Sequence, residues 1–476
     1  MRNFKFLLLL LLPVLAIATF TACGDDPVDP PVDNSTLFEE STYSLTCDDA
    51  ADVTAKIITV TDRGEGTGTM TWTADKAWVL NGFVFVNEGQ TLTIEPGTVI
   101  KGKSGQGEKA SALIVARGGR IIAEGTAADP IILTSEADPV FRKPDGSYCS
   151  GGGLSPSTRG LWGGLILLGK AGLNSTPGET SIEGIPTTEP RGLYGGSDDA
   201  DNSGILKYIS IRHGGTDIGA GNEINGLSLG GVGSGTTIDY VEVFANADDG
   251  FEYFGGTVQT KHLVSAFCGD DGMDYDEGWR GKGQFWFVYQ DGDADRGGEH
   301  DGGTNPEDGM PYATPVIYNA SYRGSGSANG KRAVTFRDNA GGEYHNSIFW
   351  GYGRGVDIEY LDGQCSYNQW QNGNLKFENN ILFDVAASDF VIRAEGDGVT
   401  LPANAQTDAD TYFAGKGNVI ATDAPVDANY GASNDAANGP FSTTSDPFFT
   451  NTNYKGAFAP GTDRWTKGWA RIEDEL

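Results

Sequence analysis

The stretch DDGFEY at residues 248–253 returns 22 residues later as DDGMDY at residues 270–275. The sequence before each copy also repeats, because residues 240–241 (YV) align with residues 262–263 (HL) and then with residues 284–285 (QF). A period in the twenties, with many glycines and short β-type runs, is typical of a stacked β-solenoid. The repeat therefore indicates the fold class and leaves the activity open.

Other segments repeat with similar spacing. Residues 86–92 align with residues 115–121, an offset of 29, and residues 334–336 align with residues 356–358, again 22 apart. Leu92 alternates with threonines, which predicts a strand with one face in the core and the other face outside. At about 22–28 residues per coil, the chain is expected to form roughly a dozen coils.

A family resemblance extends this interpretation. Residues 91–98 (TLTIEPGT), residues 123–126 (AEGT) and residues 130–135 (PIILTS) resemble the opening coils of right-handed parallel β-helix proteins of the bacterial surface. The resemblance covers residues 78–395 and implies a pectate-lyase-like fold. We therefore expect an all-β protein, a right-handed parallel β-helix (β-solenoid) of roughly a dozen coils with irregular N- and C-terminal caps.

The composition along the chain suggests where the segments begin and end. Two stretches rich in Gly, Pro, Thr and acidic residues predict loop insertions near residues 139–159 and 172–201. The expected segments are a lipoprotein signal peptide (1–22), the lipidated Cys23 with a Pro/Asp-rich tether (23–34), an N-terminal cap (35–76), the parallel β-helix (77–395) and an irregular C-terminal cap (396–476).

The N-terminus has the pattern of a secretory signal. Basic residues precede an apolar run that is too short to span a bilayer comfortably, and the run ends in FTAC at residues 20–23. This ending resembles a bacterial lipobox, which implies cleavage before Cys23 and a diacylglycerol on its thiol. An ordinary cleaved signal peptide and a short membrane anchor are the alternatives. Asp25-Asp26 resembles the surface-export signal of Bacteroidota lipoproteins, so we expect a lipid-anchored outer-membrane protein at the cell surface.

Charge and cysteine content limit the partners. Acidic residues outnumber basic ones by 65 to 33, and the net charge of −32 argues against nucleic acid and against electrostatic binding to anionic lipid. It also disfavours free polyanionic glycans unless a metal bridges the two. Besides Cys23, the cysteines Cys47, Cys149, Cys268 and Cys365 allow up to two disulfides with three possible pairings, and the sequence does not choose among them.

The repeat places acidic side chains in one row. Alternation within each strand points Glu252 and Asp274 outward on one face, with Ser228 one coil earlier and Thr335 and Asp357 in later coils. Stacked carboxylates repel each other, so a cation, a raised pKa or a neighbouring arginine must relieve them.

This row is the predicted ligand-binding site. As an alternative, the Asp-Gly pairs mark tight turns and their acids are solvated. An exposed indole would suit a sugar ring, but burial of Trp286 beneath a long loop is also open. The predicted ligand-binding residues are Glu252, Asp274, Glu277, Trp279 and Trp286.

A calcium site is predicted just after these coils. Asp291, Asp293 and Asp295 have the alternating spacing that ligation of Ca²⁺ by oxygen atoms uses, and Glu299 follows closely. The loop is not an EF-hand, because Arg296 stands at the glycine position. A solvated acidic loop is the alternative, and calcium is the one cofactor that the sequence suggests.

Two functions remain open. The first is a non-catalytic, calcium-stabilised rod that binds glycans or extracellular partner proteins. The second is a polysaccharide lyase or glycoside hydrolase on the acidic coils 248–301, because enzymes that resemble this fold use acids, Ca²⁺ and a basic residue on a strand face. A histidine between two acids could be a general base or an ordinary surface residue. The catalytic candidates are Asp274, Asp276, Arg280, Lys282 and His300.

Overall fold

The structure, a computed structural model, describes residues 35–47, 52–149, 153–219, 223–433, 439 and 441–476. The predicted signal peptide, Cys23 and tether lie outside the described residues. The first element is an antiparallel pair of strands, β1 (Leu37–Thr46) and β2 (Asp52–Thr61). From β2 onward the pairing becomes parallel, which begins the coils.

The elements of the first coils and their loops follow in chain order. The strands are β3 (Met70–Trp72), β4 (Lys76–Leu80), β5 (Phe83–Val86), β6 (Thr91–Ile94), β7 (Val99–Gly102), β8 (Ala112–Val115), β9 (Arg120–Glu124), β10 (Ile131–Ser135), β11 (Phe141–Arg142), β12 (Tyr148–Cys149), β13 (Leu165–Leu168), β14 (Glu179–Ser181) and β15 (Leu193–Gly195). The pairs β11–β12 and β14–β15 are antiparallel hairpins inside the two predicted loop insertions.

The strands of the remaining coils follow in the same way. They are β16 (Gly204–Arg212), β17 (Leu227–Gly230), β18 (Thr237–Phe244), β19 (Phe251–Phe254), β20 (Gln259–Ala266), β21 (Met273–Asp276), β22 (Lys282–Tyr289), β23 (Arg296–Asp301), β24 (Val316–Tyr318), β25 (Ser321–Arg323), β26 (Arg332–Arg337), β27 (Gly342–His345), β28 (Ile348–Tyr360), β29 (Leu375–Glu378), β30 (Ile381–Ala394) and β31 (Val419–Ala421). The described α-helices are α1 (Ser366–Gln371) and α2 (Ala405–Gly415).

Parallel pairing sorts these strands into three sheets that enclose the core. Sheet 1 runs β5–β8–β13–β17–β19–β21–β23–β26 and continues through the second halves of β28 and β30. Sheet 2 runs β3–β6–β9, the first halves of β16, β18, β20 and β22, then β24–β27–β29. Sheet 3 runs β2–β4–β7–β10, the second halves of β16, β18, β20 and β22, then β25, the first halves of β28 and β30, and β31. The chain is a right-handed parallel β-helix, as the sequence predicts.

Sheets 2 and 3 meet at a bend with left-handed backbone. Tyr208, Tyr240, His262 and Phe285 occupy this bend in successive coils with φ of 50°, 56°, 48° and 59°, and their rings stack with centroids 4.2–5.0 Å apart. Ring stacking between coils compensates for a backbone conformation that L-residues otherwise avoid.

At the same bend, the structure aligns the third repeat differently from the sequence prediction. His262 stacks on Phe285 and Leu263 lies opposite Trp286, so this coil is offset by 23 residues and not by 22. A slip of one residue exchanges the two faces of a strand. Trp286 therefore points into the core, where it is fully buried.

Asparagine occupies the bend in later coils. Asn319, Asn346 and Asn379 have φ of 56°, 53° and 59°, which asparagine tolerates better than most residues. Their amides do not form the ladder that stacked asparagines can build. Asn319 donates to the carbonyl of Tyr454 at 3.0 Å, and Asn346 donates to the carbonyl of Ser442 at 2.8 Å. These amides therefore hold the C-terminal segment.

The C-terminal residues divide into two parts, whereas the sequence predicts one cap. Helix α2 packs on β30, and Phe413 stacks on Phe377, which covers the last coil. Residues 441–476, which we name the C-terminal strap, instead lie along the outside of sheet 2, where Phe449 packs on Tyr318, and of sheet 3. There Ala457, Phe458 and Trp469 bury the outward face of Phe287 and its neighbours. A buried outward face on sheet 3 explains why this segment is rich in aromatic residues.

Of the four cysteines among the described residues, two are paired and two are free. Cys47 and Cys149 form a disulfide that ties the end of β1 to the hairpin β11–β12, while Cys268 and Cys365 are free and buried. Within the described residues, no helix combines the length and the apolar character needed to cross a membrane.

Candidate functional site

One outward row of sheet 1 changes from apolar to acidic along the stack. Its first members, Phe85, Ile114 and Ile166, pack beneath the loop that carries β14 and β15, where Ile182 and Tyr194 cover them. The row continues in register through Ser228, Glu252, Asp274, Glu299, Thr335 and Asp357. The predicted row is therefore confirmed, and its acidic part begins where the loop's apolar cover ends.

We name Glu252, Asp274 and Glu299 the acidic column. Each side chain belongs to a residue that is only 9% exposed, and neighbouring coils are about 4.8 Å apart. Burial raises the pKa of Glu252 well above its ordinary value, and the carboxylates of Glu183 and Asp274 raise it further. The column thus concentrates negative charge where water screens it poorly.

The aspartate pairs before β19 and β21 serve the turns and also join the column. Asp249 Oδ1 accepts the backbone N–H of Asp271 at 2.8 Å, and Asp271 Oδ1 accepts that of Arg296 at 2.6 Å. Each aspartate therefore links its turn to the turn one coil later, which confirms the turn role, but both residues are buried and not solvated as that interpretation expects. Oxygen atoms of Asp249, Glu252 and Asp274 also lie within 4.8 Å of one another.

Asp274 is the shared member of two carboxylate groups. Its carboxylate belongs to the group with Asp249 and Glu252 and to a second group with Asp271 and Glu299, each within 4.8 Å. Its Oδ1 atom is buried and has no hydrogen-bond partner among the described residues. Burial raises the pKa of Asp274 well above its ordinary value, and neighbouring carboxylates raise it further. A carboxylate in this position needs a proton or a cation.

The two ends of the acidic column differ in their counter-charges. Glu299 contacts Arg296 at 2.7 Å and Arg337 at 2.8 Å, while Asp301 also contacts Arg337 at 2.7 Å. Burial nevertheless raises the pKa of Glu299 to about 7. The arginines compensate the Glu299 end, so the uncompensated charge lies at Asp274 and Glu252.

Asn225, a loop residue that the sequence did not suggest, contacts the Glu252 end of the acidic column. Asn225 Nδ2 donates to Glu183 Oε1 at 2.7 Å and also to Glu252, so it bridges the two carboxyl groups. Burial raises the pKa of Glu183 above its ordinary value. Two acids held together in this way favour a shared proton.

Glu277 and Asp276 lie beside the column. Tyr194 donates its hydroxyl to Glu277 Oε2 at 2.6 Å, and Thr304 donates to Asp276 Oδ2 at 3.0 Å. Burial raises the pKa of Glu277 to about 7 and that of Asp276 to about 6. Both predicted residues therefore have protein partners, unlike Asp274.

The basic catalytic candidates do not point at the column. Arg280 Nη2 contacts Asp199 of the loop between β15 and β16 at 2.5 Å. Lys282 Nζ contacts Asp446 of the C-terminal strap at 2.5 Å. Each cation is thus held by a carboxylate outside sheet 1, and the prediction that Arg280 and Lys282 are catalytic residues of the acidic coils is wrong.

Both interpretations of His300, as a general base and as an ordinary surface residue, are wrong. His300 is inward on β23, fully buried, and stacks on Tyr275 with ring centroids 4.1 Å apart. Its Nε2 lies 2.8 Å from the hydroxyl of Tyr344, and burial lowers its pKa to about 3. Glu299 and Asp301 flank it in sequence but point to the opposite side of the strand, because side chains alternate.

The variant His300→Phe should therefore be close to the wild type in stability. A phenyl ring keeps the stacking on Tyr275, and Tyr344 keeps its contact with Tyr322 at 3.0 Å. We expect the free energy of unfolding to change by less than about 1.5 kcal/mol, measured by urea denaturation. A much larger loss of stability would contradict the stacked core position of this ring.

Trp279 and Trp286 are not platforms for a ligand. Both are fully buried, and both stack on Tyr253, with ring centroids 4.1 Å and 5.9 Å from it. The expectation of an exposed indole fails here because both rings lie inside the coils.

The predicted calcium loop is held by cations of the protein. Asp291 and Asp293 contact Arg159 at 2.5 Å and 3.0 Å, and Asp295 contacts Arg296 at 2.8 Å. The structure does not bring these three and Glu299 into one group, so this predicted ligand set is wrong. Asp295 instead lies within 4.8 Å of Asp270 and Asp271.

The acidic column and the three sheets together define the class of protein, a right-handed parallel β-helix with a carboxylate-rich row on sheet 1. The family model described as the pectate-lyase-like β-helix domain matches residues 64–470, and the chain belongs to this family. The crystal structure of pectate lyase Pel9A is similar over 79% of this chain and 88% of that chain, with 14% sequence identity and a TM-score of 0.38. Comparison with curated proteins gave no match.

Proposed function

We propose that this protein is a lipid-anchored β-helix of the outer membrane that binds Ca²⁺ around Asp274 and uses this site to hold glycans or extracellular partners without catalysis. The observation that carries the proposal is the buried, unpartnered Oδ1 of Asp274 within two groups of carboxylates. Ca²⁺ takes six to eight oxygen ligands and suits such a set.

The residues present fit this ion. Asp249, Glu252, Asp271 and Asp274 would hold it, with Glu299 at the edge of the set. A bound cation would relieve part of the repulsion within the column. The protein would remain strongly acidic, which favours a neutral glycan or a protein partner over a polyanion.

The surroundings favour binding over catalysis. Arg280, Lys282 and His300 are engaged elsewhere, and Arg337 beside the column is held by Glu299 and Asp301. Those carboxylates raise the pKa of Arg337 above its ordinary value, so it stays protonated and is a poor base.

Calcium titration calorimetry of the protein from Ser35 onward tests the ion site. Asp274→Asn is expected to weaken Ca²⁺ binding by roughly tenfold or more, since it removes an anionic ligand. Asp293→Asn serves as the matched control, because that carboxylate is 75% exposed and contacts Arg159. Equal affinity in the wild type and Asp274→Asn would overturn the proposal.

A hydrolase is the second candidate, favoured by the pair of carboxyl groups at Glu183 and Glu252. Paired acids are the groups that glycoside hydrolases use. Incubation with neutral and acidic polysaccharides, with calcium or chelator, separates the two functions. Binding without new chain ends supports the proposal, whereas new ends that vanish in Glu252→Gln would establish an enzyme.

The membrane anchor has its own test. Cys23→Ser should move the full chain from the membrane fraction to the soluble fraction, since it removes the thiol that takes the lipid. Protease shaving of intact cells then reports whether the β-helix faces outward. Retention of Cys23→Ser in the membrane would contradict lipidation at this residue.

A further inference from the structure

A serine, a histidine and a glutamate meet on the outward face of sheet 2, whereas the acidic column lies on sheet 1. Glu343 and His345 belong to β27 and share its outward face, because Tyr344 between them points into the core. His345 Nε2 lies 2.9 Å from Glu343 Oε2, and His345 Nδ1 lies 3.2 Å from the Oγ atom of Ser442 in the C-terminal strap. Hydroxyl, imidazole and carboxylate therefore form one hydrogen-bonded chain.

The carboxylate decides which ring nitrogen of His345 carries the proton. An ionised carboxylate only accepts hydrogen bonds, so Nε2–H donates to Glu343 and Nδ1 of the neutral ring is left as an acceptor. Burial raises the pKa of Glu343, but hydrogen bonds from His345 and Lys376 outweigh it and hold that pKa below its ordinary value. The hydroxyl of Ser442 then donates to Nδ1, which is the arrangement in which a histidine can take the proton of a serine.

Two asparagines hold Ser442 in this position. Asn346 Nδ2 donates to the carbonyl oxygen of Ser442, and Asn346 Oδ1 accepts the backbone N–H of Ser442, each at 2.8 Å. Asn379 Nδ2 donates to Ser442 Oγ at 2.6 Å. Since a hydroxyl oxygen has one proton and two lone pairs, one lone pair of Oγ remains for a further atom. Ser442 is half-buried and Thr443 beside it is exposed, so this hydroxyl lies close to solvent.

The charges around His345 balance one another. Lys376 Nζ contacts Glu343 Oε1 at 2.7 Å, and Lys416 Nζ contacts Glu378 Oε1 at 2.9 Å. Glu378 Oε2 also lies 4.0 Å from His345 Nδ1. Two carboxylates and two ammonium groups cancel, so a proton that moves onto His345 creates one positive charge between two carboxylates that stabilise it.

We propose that Ser442, His345 and Glu343 hydrolyse carboxylic esters that carry a small acyl group. Ser442 Oγ attacks the carbonyl carbon, and its proton passes to His345 Nδ1. The ester C–O bond then breaks, the leaving alcohol takes the proton from His345, and the acyl group remains on Oγ. Water attacks this acyl group while His345 takes a proton from it and returns one to Oγ, which releases the carboxylic acid and restores the serine.

The surroundings of Ser442 set the class of substrate. Asn346, Asn379 and His345 occupy three sides of the serine, so the acyl group must be short, such as acetyl. The amide of Asn379 is next to Oγ and would donate to the oxyanion that forms on attack. Ester hydrolysis leaves the chain ends of a glycan unchanged, so this activity is separate from glycan binding at Asp274 and from chain cleavage.

A fluorophosphonate probe and p-nitrophenyl acetate test the site in the purified full chain. The probe is expected to label Ser442, identified by mass spectrometry of the peptide, and the ester is expected to be hydrolysed with saturation. Ser442→Ala and His345→Gln should each lose the label and lower kcat/KM by roughly hundredfold or more. Ser445→Ala is the matched control, because Ser445 is an exposed serine of the same strap.

Glu343 acts through His345 as a positioning residue, and pH separates this role from a structural one. Glu343→Gln should lower kcat and also lower the pH at which the rate is half-maximal, since the protonated imidazole loses a carboxylate. A lower rate with an unmoved pH profile would overturn the role of Glu343.

Three outcomes would overturn the proposal as a whole: no probe on Ser442, hydrolysis by Ser442→Ala at the rate of the wild type, or an equal loss in Ser445→Ala. Alanine at position 442 keeps both backbone hydrogen bonds to Asn346, so the strap should stay in place. Calcium titration of Ser442→Ala checks this and should match the wild type. An inactive serine in a protein that still binds calcium at Asp274 leaves the proposed function intact.

Discussion

In buffer that contains a chelator, the free energy of unfolding should fall by roughly 3–4 kcal/mol between about pH 6.5 and pH 8.5. Burial raises the pKa of Asp248, Glu277 and Glu299 to about 7 and that of Glu359 to about 8. In the unfolded chain these carboxyl groups titrate near pH 4, so they are fully ionised across this range.

The sign follows from proton binding. A carboxyl group whose folded pKa is raised binds more protons in the folded state than in the unfolded state. The stabilising contribution of such a group is therefore fully present at low pH and is lost as the pH rises through the folded pKa. Buried histidines act in the other direction but below this range, because the pKa of His300 is lowered to about 3 and unfolded histidine titrates near 6.5.

Urea denaturation at several pH values measures this loss. In millimolar calcium the dependence on pH should become shallower, because the ion replaces protons as the counter-charge of the acidic column. A flat profile in chelator would contradict the raised pKa values of these four carboxyl groups.

The repeat in the sequence was sufficient to predict the row of sheet 1 that carries the acidic column. One coil equals 22 residues between the two copies of the motif, so Glu252 and Asp274 fall in the same row and alternate with inward residues. The turn role of Asp249 and Asp271 also follows from local sequence, because Asp before Gly favours tight turns.

Predictions that rested on local spacing alone failed. The alternating acids at 291–295 look like a calcium loop, but Arg159, which lies 132 residues before Asp291, neutralises Asp291 and Asp293. Glu183 reaches Glu252 from an inserted loop, and no pattern in either segment indicates that contact. Long-range ion pairs depend on how the loops return to the coils.

The predictions for His300 and Trp286 failed for a different reason. Alternation from Glu299 places His300 inside, so the periodicity that located the column could have excluded it as a base. Trp286 needed a correct register, and one extra residue in that coil reversed its side. In both cases, the side of the strand on which a residue lies decides whether it can reach a ligand, and its neighbours in sequence do not.

The substitution Asp274→Asn should change the stability of the protein in opposite directions with and without calcium. In chelator the variant should be more stable than the wild type by about 1–2 kcal/mol at pH 8, because it removes a buried charge that has no partner. In calcium at about 100 times the dissociation constant, the wild type gains roughly 2.7 kcal/mol from the ion, and the variant loses most of that gain.

Opposite changes in stability with and without calcium distinguish an ion site from a structural role of Asp274. If Asp274 only stabilised the coil, the variant would be less stable in both conditions. If Asp274 carried a proton at neutral pH and bound no cation, the variant would show no response to calcium that differed from wild type. Asp293→Asn, which alters an exposed acid paired with Arg159, should leave the calcium-dependent gain in melting temperature unchanged. A variant that is stabilised in chelator and no longer gains from calcium is therefore the result that an unneutralised ligand at the centre of the acidic column requires.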